Sequence, residues 1–345
     1  MVNAICKEIS LQKNYLPNNT LKTIYFGGGT PSLLTQAELA MILDTIAKNF
    51  DIASDAEITL EANPDDLHLT KLAELKQVGV NRLSIGVQSF HEAHLKWANR
   101  AHHAQEAETC IKKTQDIGFE NITIDLMYAF PAENHQILEG DLEKAIAMNV
   151  PHISAYCLTI EPKTIFGNWQ KKGKIKPVEE EFAAQQFEIL AQTLVQNGFE
   201  HYEISNFAKP AYYSRHNTNY WKKGNYLGIG ASAHSYNGHS RQYNISNNSL
   251  YIKALNQDNI PFEIEELTWE NHINEYLMVS LRTMWGCDVQ FLKEKYKYDI
   301  LEDKKNYQKI IEYQQLGLLG IQEHTIILTF KGKLLADEIS GNLFV

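Results

Sequence analysis

Cysteine is scarce in this chain: four in 345 residues, Cys6, Cys110, Cys157 and Cys287, with no two close together. Zinc fingers and iron–sulfur loops use close pairs such as C-x2-C. Isolated thiols in a chain of this length do not make a disulfide framework either. The expectation is four separate buried thiols. Long apolar runs are also lacking, since none reaches the roughly 18 residues of a membrane span. No basic-then-apolar secretory pattern opens the chain. The expected location is the cytoplasm, with peripheral membrane contact left open. Excess positive charge is absent too. The formal net charge is -10, which argues against a broad nucleic-acid footprint.

What is present is ordinary globular composition, 44% hydrophobic and 21% charged, in a chain long enough for two domains. Its first two-thirds alternate strand and helix. Strands are read at Lys22–Phe26, Glu57–Glu61, Arg82–Gln88, Asn121–Leu126, His152–Leu158 and Glu200–Ile204. Residues Val2–Leu16 read as a helix. Another starts near Thr35, where Thr35 and Glu38 make a T-x-x-E capping box and Leu39, Ile42, Leu43 and Ile46 line one face. Three further helices stop at Gly79, Gly118 and Gly198, because glycine accepts the left-handed conformation that ends a helix. The alternation implies an α/β fold with a parallel sheet and right-handed crossovers. The strands read as short and apolar, as strands covered on both faces should be.

After Asn206 the texture changes. Residues 207–248 are rich in Tyr, Asn, His, Ser and Gly and read as loops with little helix. From about Thr268 a small, mainly helical, winged-helix-like region follows, with a hairpin over Gly317–Phe330. The expected domains are 1–205, a loop-rich connection over 206–265, and 266–345.

In parallel α/β folds ligands sit at the C-terminal ends of strands. The polar and glycine-rich features collect there: Gly27-Gly28-Gly29-Thr30-Pro31, Glu61 with Asn63-Pro64-Asp65, Gln88-Ser89, Asp125, and Tyr156-Cys157. Each has an ordinary reading as well. GGGTP can be a tight turn, and Glu61 a strand-end acid. Glycines also let backbone N–H groups approach a ligand, and a carboxylate in Glu61's place can accept both ribose hydroxyls. Their joint placement at one end of a sheet favours a shared site.

The runs YFGGGTPSLL, LEANPDDL, GVNRLSIGVQSF, ITIDLMYAFP, HISAYCL and HYEISNFA occur in order along nearly the whole chain. Together they resemble the radical S-adenosylmethionine (SAM) family. More narrowly, they resemble its oxygen-independent coproporphyrinogen dehydrogenases and HemW-type haem chaperones. The resemblance implies a partial (β/α)6 barrel with SAM across the strand ends. It implies that Gly28, Gly29 and Thr30 meet the methionyl amino group, that Glu61 holds the ribose, and that Gln88, Arg100 and Asp125 complete the pocket. Arg100 could equally be a solvated arginine before a helix.

Members of this family begin with a strand and a C-x3-C-x2-C loop whose thiolates hold a [4Fe–4S] cluster. That strand and loop do not stand in this sequence, and Cys6 is a single thiol within the first expected helix. The expectation is a barrel without its first strand that does not cleave SAM unaided. Either the natural start lies upstream or this is a short form without radical chemistry.

His216-Asn217-Thr218-Asn219-Tyr220-Trp221 matches the HNxxYW motif of the chaperone group. The resemblance implies haem as ligand and an acceptor haemoprotein as partner. Histidine can ligate haem iron, and Tyr220 and Trp221 can pack on the porphyrin. His216 can also be a loop histidine and Trp221 a packing residue. His234 and His239 are lesser ligand candidates. Two rival functions are a porphyrinogen-oxidising enzyme and a binding protein that keeps only a SAM or tetrapyrrole pocket.

Overall fold

A computed structural model describes residues 1–175 and 178–345. The chain starts with α1 (Val2–Leu11), β1 (Thr20–Phe26), α2 (Gln36–Asn49), β2 (Asp51–Ala62), α3 (Leu69–Gln77) and β3 (Arg82–Gln88). Next come α4 (Glu92–Trp97), α5 (Ala104–Asp116), β4 (Asn121–Tyr128), α6 (Gln136–Ala147), β5 (His152–Cys157), α7 (Ile165–Lys171) and α8 (Glu180–Gln196). Strands β6 (Glu200–Glu203) and β7 (Asn206–Ala208) end the series. The expected capping box is formed. Thr35 Oγ1 accepts from the Glu38 N–H, and Glu38 Oε2 accepts from the Thr35 N–H. Gly79, Gly118 and Gly198 all take positive φ, as helix-ending glycines should.

Seven strands form one sheet in the order β1-β2-β3-β4-β5-β7-β6. Strands β2 to β5 run parallel, as expected. The far end departs from the expectation of an all-parallel sheet. Strand β7 pairs antiparallel with β5, and β6 pairs antiparallel with β7 on the outside. Only Ile204 and Ser205 separate β6 from β7, which suits a hairpin and not a crossover. This curled, mainly parallel sheet is the partial barrel that the resemblance implied.

The strands are not apolar on both faces. In β2 to β5 they alternate. Thr59, Glu61, Arg82, Ser84, Thr123, Asp125, His152 and Ser154 share one face by period two. Leu60, Leu83, Ile85, Ile122, Ile124 and Ile153 take the other, and all six are buried. The polar face is buried as well: Thr59, Arg82, Thr123, His152 and Ser154 are each under 4% exposed. A curled sheet presents its inner face to itself, so polar strand residues there must satisfy one another.

The rest of the chain holds α9 (Arg215–Trp221), β8 (His234–Tyr236), β9 (Ser240–Asn244), α10 (Asn248–Leu255) and β10 (Phe262–Glu266). Residues 207–248 are thus more ordered than a loop reading allows. Ser214 caps α9 by accepting from the Asn217 N–H at 3.2 Å, and β8, β9 and β10 form an antiparallel sheet. Then come α11 (Trp269–Leu281), β11 (Cys287–Asp288), α12 (Val289–Tyr296), α13 (Lys304–Gln315), β12 (Leu319–Gln322), β13 (Thr325–Leu328), α14 (Phe330–Lys333) and α15 (Ala336–Asn342). Strands β12 and β13 form the expected hairpin and pair with β11. This is the small, mainly helical region expected at the end of the chain.

Two compact units form. One comprises Met1–Ile24, Thr35–Ala56 and Ser214–Val345; the other comprises Tyr25–Leu34 and Glu57–Tyr213. Among the described residues no helix is long and apolar enough to cross a membrane. The cysteines are free and separate, but only Cys110 and Cys287 are buried; Cys6 is half-buried and Cys157 exposed. Cys157 ends β5, whose last two residues, Tyr156 and Cys157, are both exposed.

In the first unit α1 is held by a buried carboxylate. Glu8 is fully buried. It accepts from the Tyr251 hydroxyl and the Gly230 N–H through Oε2, and from Asn244 Nδ2 through Oε1. Burial raises its pKa while these three donors oppose the rise. Nearby, Ala4 packs on Tyr251 and Leu255. Glu8→Ala strands three buried donors and should cost about 3 kcal/mol in urea unfolding. Glu8→Gln should also destabilise, by roughly 1–3 kcal/mol, because one amide N–H must face another donor. A glutamine variant as stable as the parent would show that these donors do not need a carboxylate.

Candidate functional site

The second unit brings the expected strand-end residues together. After β1 the chain passes through Gly27, Gly28 and Gly29. Gly28 has φ +95°, which costs a glycine least. Its N–H donates to Glu61 Oε2 at 3.1 Å. The Tyr25 hydroxyl donates to Glu61 Oε1 at 2.7 Å. The Glu61 oxygens are therefore oriented from β1 and from the loop after it, and its carboxylate stands at the loop. A side chain at Gly27 would strike the Tyr25 ring at 2.6 Å. At Gly28 and Gly29 it would meet nothing within 4 Å, so the loop is crowded below and open above. Thr30 is exposed just before a short 3-10 turn over Pro31–Leu33.

Gln88 ends β3 at a register shift and has φ 66°, unusual for a residue with a side chain. A Cβ at Gly86 would meet Gln88 Nε2 at 2.9 Å and Arg100 Nη2 at 3.3 Å, so glycine makes room for both. Arg100 is not a freely solvated arginine. Its Nη2 donates to Asn63 Oδ1 at 2.8 Å and to the Gly86 carbonyl at 3.2 Å. This ties the residues after β2 to the end of β3.

Asp125 keeps some surface toward the mouth but is enclosed by neighbouring groups. Burial, and then the charge of Glu61, push its pKa up to about 7, while Ser84, Ser154 and Arg82 oppose the rise. Ser84 Oγ donates to Asp125 Oδ1 at 3.4 Å. Tyr156, at the end of β5, is affected electrostatically by both Asp125 and Glu61. Gly28, Glu61, Gln88, Arg100, Asp125 and Tyr156 thus gather at one end of the sheet, with Asn63 tying in Arg100. Tyr25, Ser84 and Ser154 help to hold them there and were not singled out from sequence. The signal for Tyr25 was its place two residues before Gly27, on the same face of β1.

The HNxxYW residues lie in the first unit, on helix α9 and not in a loop. His216 Nδ1 is 3.1 Å from Thr23 Oγ1, and His216 Nε2 is 3.0 Å from the Tyr220 hydroxyl. The His216 and Tyr220 rings meet edge-on at 4.9 Å, one helical turn apart. Burial lowers the His216 pKa to about 4, so the imidazole is neutral near pH 7. Tyr220 continues into Tyr226 at 4.6 Å and Tyr226 into Tyr236 at 6.3 Å. Trp221 lies under the Arg282 guanidinium, 5.7 Å from its ring. His234 and His239 are both exposed. His234 sits beside Tyr243, and His239 lies in the turn between β8 and β9.

Among the described residues no three of His, Cys, Asp and Glu gather into a metal-holding group. The strand-end site does fit an adenosyl amino acid. It has an open glycine loop, a carboxylate held at a strand end, a group that can accept ribose hydroxyls, and polar groups around both.

A radical SAM superfamily model matches residues 8–145. The fold is that of a radical SAM protein, a family that works with SAM and a [4Fe–4S] cluster. Heme chaperone HemW of Bacillus subtilis is 37% identical over 323 residues, 93% of this chain and 85% of that one. Heme chaperone HemW of Lactococcus lactis is 36% identical over 94% of this chain and 84% of its own length. The Escherichia coli protein of that name is 42% identical over 64% of this chain and 57% of its own. The chain belongs to the HemW family. The solved structure of coproporphyrinogen III oxidase HemN from Escherichia coli shares its fold, with a TM-score of 0.84 and 22% identity over 99% of this chain and 82% of that one.

Asp125 is raised in the folded chain, so its carboxyl is protonated there at pH values where the unfolded chain has lost the proton. Its unfavourable contribution is absent below about pH 4 and complete above about pH 7. Asp125→Asn should therefore gain on the parent as pH rises through this window, by roughly 1 kcal/mol or more at pH 8. Denaturant midpoints at pH 4, 6 and 8 check it. A difference between the two proteins that stays constant across these pH values would contradict a raised Asp125.

Proposed function

We propose that this chain binds haem through His216, with Tyr220 and Trp221 against the porphyrin, and passes it to an acceptor haemoprotein. The observation that carries this reading is α9 itself. It presents a neutral, partly enclosed imidazole in direct contact with Tyr220, and a row of tyrosine rings continues beside it. Neutral imidazole is the form that ligates iron, and flat aromatic rings suit a flat macrocycle. The names of the HemW relatives support the same assignment.

SAM belongs to the strand-end site in this reading. Gly28, Gly29 and Thr30 would face its amino acid end and Glu61 its ribose, with Gln88, Arg100 and Asp125 around them. When bound with a cluster, SAM supplies radical chemistry. What these residues do themselves is bind and orient it. The fold shared with coproporphyrinogen oxidase carries no activity across, because one fold hosts many chemistries.

Haem titration of the purified chain should give a saturable one-to-one Soret change, and His216→Ala should abolish it or weaken it at least about 10-fold. A folded chain that shows no saturable change would defeat the haem reading. Separately, equilibrium dialysis of SAM should show Glu61→Ala weaker by about 10-fold or more, as for a lost charge-assisted hydrogen bond. Unchanged retention would remove Glu61 from the SAM site.

A further inference from the structure

On α9 both ring nitrogens of His216 are engaged, which bears on how a ligand reaches them. Each contact is to a hydroxyl, and hydroxyls can donate or accept. The two hydroxyls differ in kind. A phenol is the more acidic O–H, so Tyr220 is the better donor and the poorer acceptor. Thr23 carries an aliphatic hydroxyl, the better acceptor of the pair. A neutral imidazole has one N–H and one lone pair. The favoured arrangement is Nδ1–H donating to Thr23 Oγ1 at 3.1 Å, with the Tyr220 hydroxyl donating to Nε2 at 3.0 Å.

Thr23 and Tyr220 are held by different elements. Thr23 is fixed in the middle of β1, and α9 is tied down near its start by Arg215, which bonds the Asp55 carbonyl in β2. Tyr220 lies near the other end of the same short helix and is 36% exposed. The Nδ1 partner therefore comes from a strand and is fixed. The Nε2 partner comes from the histidine's own helix, on a side chain that keeps some surface, and it can swing aside for an incoming ligand.

We propose that Thr23 is a positioning residue that sets His216 with its Nε2 lone pair available, and that the Tyr220 hydroxyl is a latch on that lone pair which haem must displace. This rests on the haem reading above. On binding, the O–H···Nε2 bond breaks and an Fe–Nε2 bond forms, displacing a water or hydroxide from ferric haem. No electron moves, and the phenol keeps its proton. Histidines that ligate metals commonly donate their other ring N–H to a fixed acceptor, which orients the ring and makes the ligating nitrogen more basic. Thr23 fills that role without charge.

The test uses the full chain and ferric haem. Nitrogen-15 NMR of histidine in the haem-free protein should show His216 protonated at Nδ1. Tyr220→Phe keeps the ring and removes the latch, so haem should bind about 2- to 10-fold tighter, the worth of one neutral hydrogen bond. Thr23→Val keeps shape and strand preference and should weaken binding about 10-fold. Thr23→Ser should restore most of that loss, which a merely structural role for Thr23 would not produce. An Nε2-protonated His216 would overturn the proposal. So would parental affinity, or weaker binding, in Tyr220→Phe. Parental affinity in Thr23→Val would do the same. In those cases His216-dependent binding by the parent would leave the haem reading standing. Binding that ignores His216→Ala would overturn both together.

Discussion

The polar face of the sheet depends on one buried cation, Arg82. Its side chain is 1% exposed, and a guanidinium does not escape burial by losing its proton. Desolvation pulls its pKa down, and Glu57 opposes this from 3.9 Å. Its two terminal nitrogens donate to Asn121 and to Thr123 Oγ1, the latter at 2.6 Å. These partners sit at Glu57 in β2 and at Asn121 and Thr123 in β4. Burying one charge in β3 thus requires polar residues at matching positions on both neighbouring strands. Removing one member of such a set strands the others, which is far more destabilising than never having built it.

The requirement runs along the sheet toward the mouth. His152 is fully buried and held well below its usual pKa by burial and by Arg82. It stays neutral against the Tyr202 hydroxyl at 2.7 Å. Above it, Ser154 donates to Asn206 Oδ1, and Asn206 donates to Glu203. Asp125 and Glu61 come last, where the polar face opens. Two carboxylates there repel; Ser84, Ser154 and Arg82 oppose this at Asp125, and Tyr25 and the Gly28 N–H hold Glu61. A face that satisfies itself at one end and sets two acids close together at the other is prepared for a ligand at that other end. A purely apolar barrel interior could not position acids in this way.

Much of this was legible in the residues. The capping box at Thr35, the glycine stops and the bounds of β3 follow from local chemistry that tertiary contacts do not override. The strand-end site was legible because strand ends, once assigned, fix which residues meet. Other features were not. The strands read as apolar because Ile, Leu and Val recur at their alternate positions. The alternate polar residues only gain meaning when the sheet curls and buries them. The β6–β7 hairpin was missed because three residues, Asn206–Ala208, are too few to announce a strand. Helix α9 was hidden by a run of Asn, His, Ser and Tyr with weak helix preference. It forms because Ser214 caps it and Arg215 ties it to Asp55. Arg100 looked free because Asn63, which accepts its hydrogen bond, stands thirty-seven positions away.

The two candidate sites differ in how their groups are held. At the strand ends, rigid strands meet and the polar side chains find partners on neighbouring strands and loops. A ligand there needs little rearrangement beyond sharing those partners. On α9, one hydroxyl beside the histidine comes from a strand and the other from its own helix, so one is fixed and the other can yield. A site that retains its ligand wants both fixed. One that must also give its ligand up gains from a partner that can return to the vacated nitrogen. Under the proposed reading, Tyr220, one turn from His216 and partly exposed, would compete with iron for the same lone pair. Such competition would cost little affinity and would lower the barrier to release, which is what transfer to an acceptor requires.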